Sequence, residues 1–568
     1  MSKQGREKSE KLSVARSLFS ARLRRLCVSA VFTPFAAHAL TRRLKTIILI
    51  LSFLILVAIP SLSHLSSLPQ GRQLTVEERC GQQIYRRGIS PSGKEIKAII
   101  GDSSDPLPAS AFACANCHAR DGAGKPEGGV IPSNLTWDAL TRPYVVTAQG
   151  GRKRLPYTER LLKRAITLGV DSSGNRLHPA MPRYQMSQED AADLIAYLKK
   201  LGHDLDPGLS DASITIGTIA VRDGRFADMT ESVKAALRAY FEDINRQGGL
   251  FNRRLSLKII ESSESPAERL KALRQAVESE EVFALTSVFM AGADEEIIAL
   301  CKTREIPLVG AFTLDPQSDA TANPFVFYIH SGLDDEAHAL GRFAAEKYAA
   351  ANPAAVILHT EEKPTRAAAA RIKELCAKSN WSAVEVIEAQ RDGFNAAETV
   401  AHLIAKRVEV IFFLAPNEIQ KSFLEKAEPM RPTIFIPGSL AGREIFERRD
   451  LQVFLSMTAL PSDRSEEGLA EYGRLAREHN LPSRHLASQL SALASARVLV
   501  EGLRRSGRDA SRQRLIQSLE GLYRFPTGLT SPVTYDANRR IGSRGACIVE
   551  VDRKSGKLLA VSERIEPK

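Results

Sequence analysis

Cys114-Ala115-Asn116-Cys117-His118 is the segment in which residue types and spacing most clearly imply chemistry. Two thiols separated by two residues lie on one helical turn, where both can add to the neighbouring vinyl groups of a porphyrin. The histidine that follows then points its imidazole at the iron. A lone Cys-x-x-Cys pair could be a thiol redox centre or half of a zinc site. The adjacent histidine and the lack of a second such pair argue against zinc, because structural zinc sites use four protein ligands. One covalent haem c, bonded through Cys114 and Cys117 and ligated by His118, is the expectation.

A sixth ligand is expected downstream, in Asn175–Ser187 (NRLHPAMPRYQMS). Pro179 and Pro182 flank Met181 and favour an extended loop over a helix, which suits a thioether that must reach across a haem. Met186 is the alternative and His178 a second one. Methionine–histidine ligation raises the potential and leaves no open coordination position. The expectation is therefore an electron carrier rather than an enzyme. No GxSxG, HExxH or phosphate-loop motif occurs in the second half. Its scattered histidines (His330, His338, His359, His402, His479, His485) read as surface or satisfied side chains.

The elements that must position this site belong to a chain of 568 residues, long enough for about three or four domain-sized units. With 43% hydrophobic and 25% charged residues it can bury sizeable cores without a disulfide scaffold. Its seven cysteines show no framework spacing, and Cys27 falls on the cytoplasmic side of the topology below. The net charge of +12 suggests a nucleic-acid partner until it is located. Most of the excess sits in residues 1–43, a basic flank ahead of the apolar run Thr46–Ile59, so no nucleic-acid partner is expected. Residues 44–62 read as a transmembrane signal-anchor or a signal peptide, with the N-terminus cytoplasmic. The remainder is placed in the periplasm, anchored to the inner membrane through that helix. Residues 63–75 are a Ser/Pro/Gly-rich linker.

Residues 76–204 are irregular with helical stretches at both ends, and 205–212 form a second linker. From 213 to 568 the pattern changes. Short apolar runs (Ile214–Val221, Val282–Thr286, Ala355–Leu358, Val408–Leu414, Thr433–Ile436) alternate with helical patterns (Met229–Arg246, Ala267–Glu278, Asp335–Ala351, Arg366–Ser379, Ala396–Arg407). This alternation predicts parallel α/β sheets.

Two family resemblances are carried by these stretches. CANCHARDGAGKPEGGV, MPRYQMS and the final helix DAADLIAYLKKL make residues 76–204 similar to a class I cytochrome c domain, all-α. The resemblance implies that Gly81 on the first helix lets Tyr197 of the last pack close. Cys80 reads as a small buried residue. ITIGTIAVRDGRFADMTESVKAALRAYFEDINRQGGLFNRRLSLKII, DGFNAAETVAHLIAKRVEVIFFLAPNE and RPTIFIPGSL make residues 213–568 resemble a type I periplasmic binding protein of the Leu/Ile/Val class, the substrate-binding component of ABC transporters. The fold implied is multidomain: a helical cytochrome c domain, then two α/β lobes enclosing a cleft.

The resemblance places ligand contacts at Met290 or Ala291, Thr313 and Ser439. Met290 or Ala291 stands where the family has a serine. The tyrosine expected near Ala415–Pro416 is missing, and Ser439 stands where an acid would pair with a ligand amine. These departures argue against an α-amino acid. Phe289, Met290 and Phe312 suggest a less polar or aromatic small molecule. The implied partners are that ligand, the membrane, and a redox protein such as a dehydrogenase or respiratory-chain component. A ligand-sensing or transport role, with the haem structural or redox-reporting, is the alternative.

Overall fold

The computed structural model describes residues 74–567 except 102–104, 125–128, 148–150, 203–204, 280, 380 and 382. The apolar run at 44–62 therefore lies outside the described residues. Among those described, no helix is long and apolar enough to cross a membrane. Residues from Leu74 onward form one unit.

Among the described residues, the first part of that unit carries five α-helices: α1 (Val76–Arg87), α2 (Cys114–His118), α3 (Trp137–Leu140), α4 (Glu159–Leu168) and α5 (Gln188–Leu198). Thr75 starts α1 through a capping box. Its hydroxyl accepts from the Glu78 N–H at 3.2 Å, and the Glu78 carboxylate accepts from the Thr75 N–H at 2.8 Å. Gly88, at φ 65°, ends the helix in the left-handed conformation. Helices α1 and α5 cross at Gly81, where a Cβ would lie 1.9 Å from the Asp193 carbonyl oxygen and 2.8 Å from Tyr197 Cβ. The close approach expected of Gly81 and Tyr197 is present, and the Tyr85 and Tyr197 rings pack 5.5 Å apart beside it.

This part is not all-α, as the sequence suggested. Strand β1 (Lys97–Ile99) pairs antiparallel with both β2 (Leu107–Pro108) and β5 (Arg183–Gln185), and β3 (Val146–Thr147) pairs with β4 (Lys153–Arg154). The connecting segments are too rich in Pro and Gly for helix, so short ladders satisfy their backbone groups instead. Cys80 is half-buried rather than buried.

The second part has two sheets. The first lobe holds β6 (Ser213–Val221), β7 (Arg254–Ser262), β8 (Ala284–Thr286), β9 (Leu308–Val309), β10 (Val326–His330) and β16 (Ile541–Ser543). They lie in the order β16-β10-β9-β8-β6-β7, all parallel. The second lobe holds β11 (Ala355–Thr360), β12 (Val384–Ala389), β13 (Val410–Leu414), β14 (Thr433–Pro437), β15 (Gln452–Met457), β17 (Cys547–Val551) and β18 (Leu558–Ala560). Their order is β12-β11-β13-β14-β15-β17-β18, with the last two antiparallel to their neighbours. Central strands such as VIFFL at β13 are buried at every residue, because helices cover both faces. The chain crosses between lobes after β10, β15 and β16, the three-crossover arrangement of a hinged pair. The predicted helices are present, with the one expected over Asp335–Ala351 ending at Lys347, shortly before Pro353.

Candidate haem site and ligand cleft

Cys114, Cys117 and His118 share the single turn of α2, which ends at Ala119. Cys117 is exposed and Cys114 half-buried, and both are free thiols. Burial pushes the Cys114 thiol up to about 11, against the hydrogen bond it makes with Tyr184, so it is protonated at neutral pH. His118 is only 7% exposed. Its Nδ1 donates to the Ser133 carbonyl oxygen at 2.8 Å, which fixes the ring and leaves Nε2 as the nitrogen for a metal. Burial lowers the His118 pKa, favouring the neutral ring that ligation requires.

Two tyrosines brace the motif. Tyr85 of α1 donates to the Ala119 carbonyl oxygen at 2.7 Å, and Tyr184 of β5 donates to that of Phe112 at 2.5 Å. Ala119 sits at φ 61°, ψ 170°, a conformation costing a non-glycine residue ~1–3 kcal/mol. The surrounding bonds hold it there.

Tyr184 also brings the methionine segment to the motif. Met181 and Met186 flank it in sequence, and both pack, with Cys114 and Ala115, on the same apolar core. Met181 ends a tight turn in which its N–H donates to the His178 carbonyl at 2.8 Å. That turn is tied to Gly101, whose N–H donates to Pro179 at 3.2 Å and whose carbonyl accepts from Arg183 at 2.6 Å. His178 is exposed, and its Nδ1 accepts the Ala180 N–H at 3.2 Å. A buried imidazole with one nitrogen committed, two free thiols on the same helical turn and thioethers on the same core fit a haem c. The roles of Ser133 and Tyr184 could not be found from the sequence, because they act through backbone carbonyls distant along the chain.

In the second part, the sequence-designated cleft residues are largely engaged within the lobes. Met290 is fully buried in the first lobe's core, so its side chain serves packing where a ligand contact was expected. The Ala291 carbonyl accepts from the buried Arg269 guanidinium. The Thr313 hydroxyl donates to Asp294, joining the loops after β8 and β9, and burial raises the Asp294 pKa. Ser439 donates to Glu336, 2% exposed and absent from the sequence reading. The acid missing from the Pro437–Leu440 loop thus arrives from the first turn of the helix Leu333–Lys347. Burial pushes the Glu336 carboxyl up to about 7, outweighing the hydrogen bonds from Ser439.

The Phe226 and Phe289 rings lie 4.3 Å apart on the first lobe, with the Arg225 and Arg269 guanidinium groups 4.7 and 5.0 Å from one ring each. Phe289 bridges Phe312 across the two loops. A cavity of about 180 Å³ opens between lobes, lined by Leu314, Asp315, Leu333, Asp334, Lys363 and Pro364 among others. His330 departs from the expectation of a satisfied histidine. Half-buried at the first crossover, with its inaccessible Nδ1 unpartnered, its pKa is pushed down to about 4 by desolvation.

The fold and site define a c-type cytochrome joined to a two-lobed binding protein. The periplasmic binding protein family model matches residues 213–557 and the cytochrome c model residues 109–202. The chain belongs to the periplasmic binding protein family, with a cytochrome c domain preceding the binding lobes. Among solved structures it resembles a substrate-binding periplasmic protein from Ralstonia solanacearum, at 20% identity and TM-score 0.51, covering 61% of this chain and all of that one. A branched-chain amino-acid ABC transporter protein from Thermus thermophilus with bound valine matches at 14% identity and TM-score 0.53, over 63% of this chain and 98% of its own. A solute-binding protein from R. palustris in complex with benzoate matches at 14% and 0.51, over 63% and 98%. No curated protein matches the chain.

Proposed function

We propose that this protein is a periplasmic, membrane-anchored electron carrier whose single haem c shares a chain with a small-molecule-binding cleft. Cys114 and Cys117 would form the thioethers, His118 the proximal ligand and Met181 the distal one. The reading rests on His118, buried and oriented by Ser133, on one turn with two free thiols and packed on the same core as Met181. Bound there, the haem would pass single electrons by cycling between ferrous and ferric states. The protein's own residues hold the imidazole neutral, orient it and cover one side with apolar core. The electron donor or acceptor would be a dehydrogenase or respiratory-chain protein. The protein is not proposed to be an enzyme.

For the cleft ligand, the relatives' valine and benzoate bracket the choice. The paired Phe226 and Phe289 rings favour an aromatic or weakly polar molecule over an α-amino acid. Mass spectrometry and a visible spectrum of protein from a haem-attaching host test the whole reading. One haem mass per chain, surviving denaturation, is expected; a colourless chain weighing only its amino acids overturns it. Met181→Ala should remove the iron–sulfur charge-transfer band at the red end of the spectrum. If only Met186→Ala removes it, the distal ligand is Met186.

A further inference from the structure

The peptide unit between Ala119 and Arg120, one residue beyond the proximal histidine, is held from two sides. Its carbonyl, from Ala119, accepts from Tyr85 at 2.7 Å. Its N–H, from Arg120, donates 3.1 Å to the Gln513 side-chain oxygen, which belongs to the binding domain 393 residues later. The Arg120 guanidinium pairs with Glu305, and Asp121 with Arg514 at 3.4 Å. Three consecutive interactions from one binding lobe thus converge on the two residues that follow Ala119.

Those three partners are themselves fixed. Gln513 and Arg514 open the helix Arg512–Glu520, and the 5% exposed Arg512 beside them bolts it to the lobe. Its guanidinium donates to the carbonyls of Val282, Phe283 and Arg304 at 2.7, 2.9 and 3.1 Å, and its N–H donates to Asp206 at 2.6 Å. Glu305 caps the helix Asp294–Arg304 at φ 50°. The first residue of that helix accepts the Thr313 hydroxyl, so the element that grips Arg120 begins beside the cleft loops.

We propose that Gln513 and Glu305 are positioning residues for the haem. By holding the 119–120 peptide in its strained conformation they set the orientation of His118, so the haem's potential depends on the binding domain. A purely structural linker would need no contact with the residues beside the ligand histidine. The proposal rests on haem c being attached at Cys114 and Cys117.

The experiment uses full-length holoprotein and the variants Gln513→Leu and Glu305→Gln. Both positions are partly exposed, so the fold should survive, and a thermal scan of each variant checks this. Haem mass establishes attachment separately. With haem attached, each variant should change the reduced-to-oxidised ratio at a fixed poise by about two- to tenfold, the equilibrium equivalent of one hydrogen bond. Hydrogen exchange at the Arg120 amide should also accelerate in Gln513→Leu. Unchanged potential and exchange in both variants overturn the proposal. If the wild type carries no haem, the attachment reading has failed instead, and the exchange comparison alone decides whether the lobe holds this peptide.

Discussion

The haem-bearing part and the binding lobes solve the same problem, holding side chains in place, with different materials. Around His118 the backbone is loop and single turns. Order comes from side chains that donate to carbonyls: Tyr85 to Ala119, Tyr184 to Phe112, His118 to Ser133. In the lobes, order comes from parallel strands buried on both faces, and the cleft residues ride on strand ends. The first arrangement concentrates its stability in a few contacts. The second spreads it over many, so substitutions should be felt differently in the two.

The largest effect expected is all-or-none. Cys114→Ala with Cys117→Ala should abolish covalent haem while leaving ligand-induced stabilisation of the binding lobes intact. Intact mass and a thermal-shift screen of aromatic and aliphatic acids read the two separately. For a true ligand the stabilisation should grow as RT ln(1 + [L]/Kd), about 2.7 kcal/mol at a hundredfold excess over Kd. If losing the haem also removes ligand stabilisation, the two parts are not independent in this respect.

In the lobes, Glu336 provides the next effect. A carboxyl raised to about 7 in the folded protein, against 4.5 unfolded, keeps its proton over a range where the unfolded chain has lost it. Its contribution is therefore complete below about pH 4.5 and declines as pH rises through about 7. Ionising it in place costs on the order of 3 kcal/mol. Glu336→Gln should flatten this part of the stability profile, with the variant gaining on the wild type at pH 8. Parallel profiles for the two proteins from pH 4 to 8 would show that Glu336 ionises freely.

In the haem-bearing part, Gly81→Ala places a methyl group 1.9 Å from the Asp193 carbonyl, which belongs to a helix backbone and cannot swing aside. The overpacking should cost on the order of 1–3 kcal/mol and lower the melting midpoint of this part more than that of the lobes. Equal losses in both would mean that the unit melts as a whole and that the two parts differ in architecture but not in stability.

These residues also mark how far the sequence could be read. The clustering of Cys114, Cys117 and His118 on one turn was legible from their spacing alone. So was Gly81 against Tyr197, through the family resemblance, and the strand–helix alternation, because strands buried on both faces are apolar throughout. The partners were not legible. Ser133 orients His118 through a carbonyl, which every residue has. Glu336 reaches Ser439 across 103 residues, and Gln513 reaches Arg120 across 393. Met290 shows the opposite failure, since an apolar residue at a cleft loop reads the same whether it faces a ligand or the core.

The smallest effect is expected at an exposed ion pair between the lobes. Lys363 and Glu295 join the two lobes at 2.5 Å, yet their side chains are 71% and 75% exposed. The pair raises the lysine pKa and lowers the glutamate's, mainly through their mutual hydrogen bond. Water and salt screen such a pair, and ordering two long side chains offsets much of its attraction. Lys363→Ala should leave the melting midpoint unchanged within error at physiological ionic strength. Because the pair spans the cleft, any effect should instead appear as altered ligand dissociation, strongest at low salt. A clear loss of stability at high salt would mean that the lobes depend on this surface contact rather than on their buried sheets.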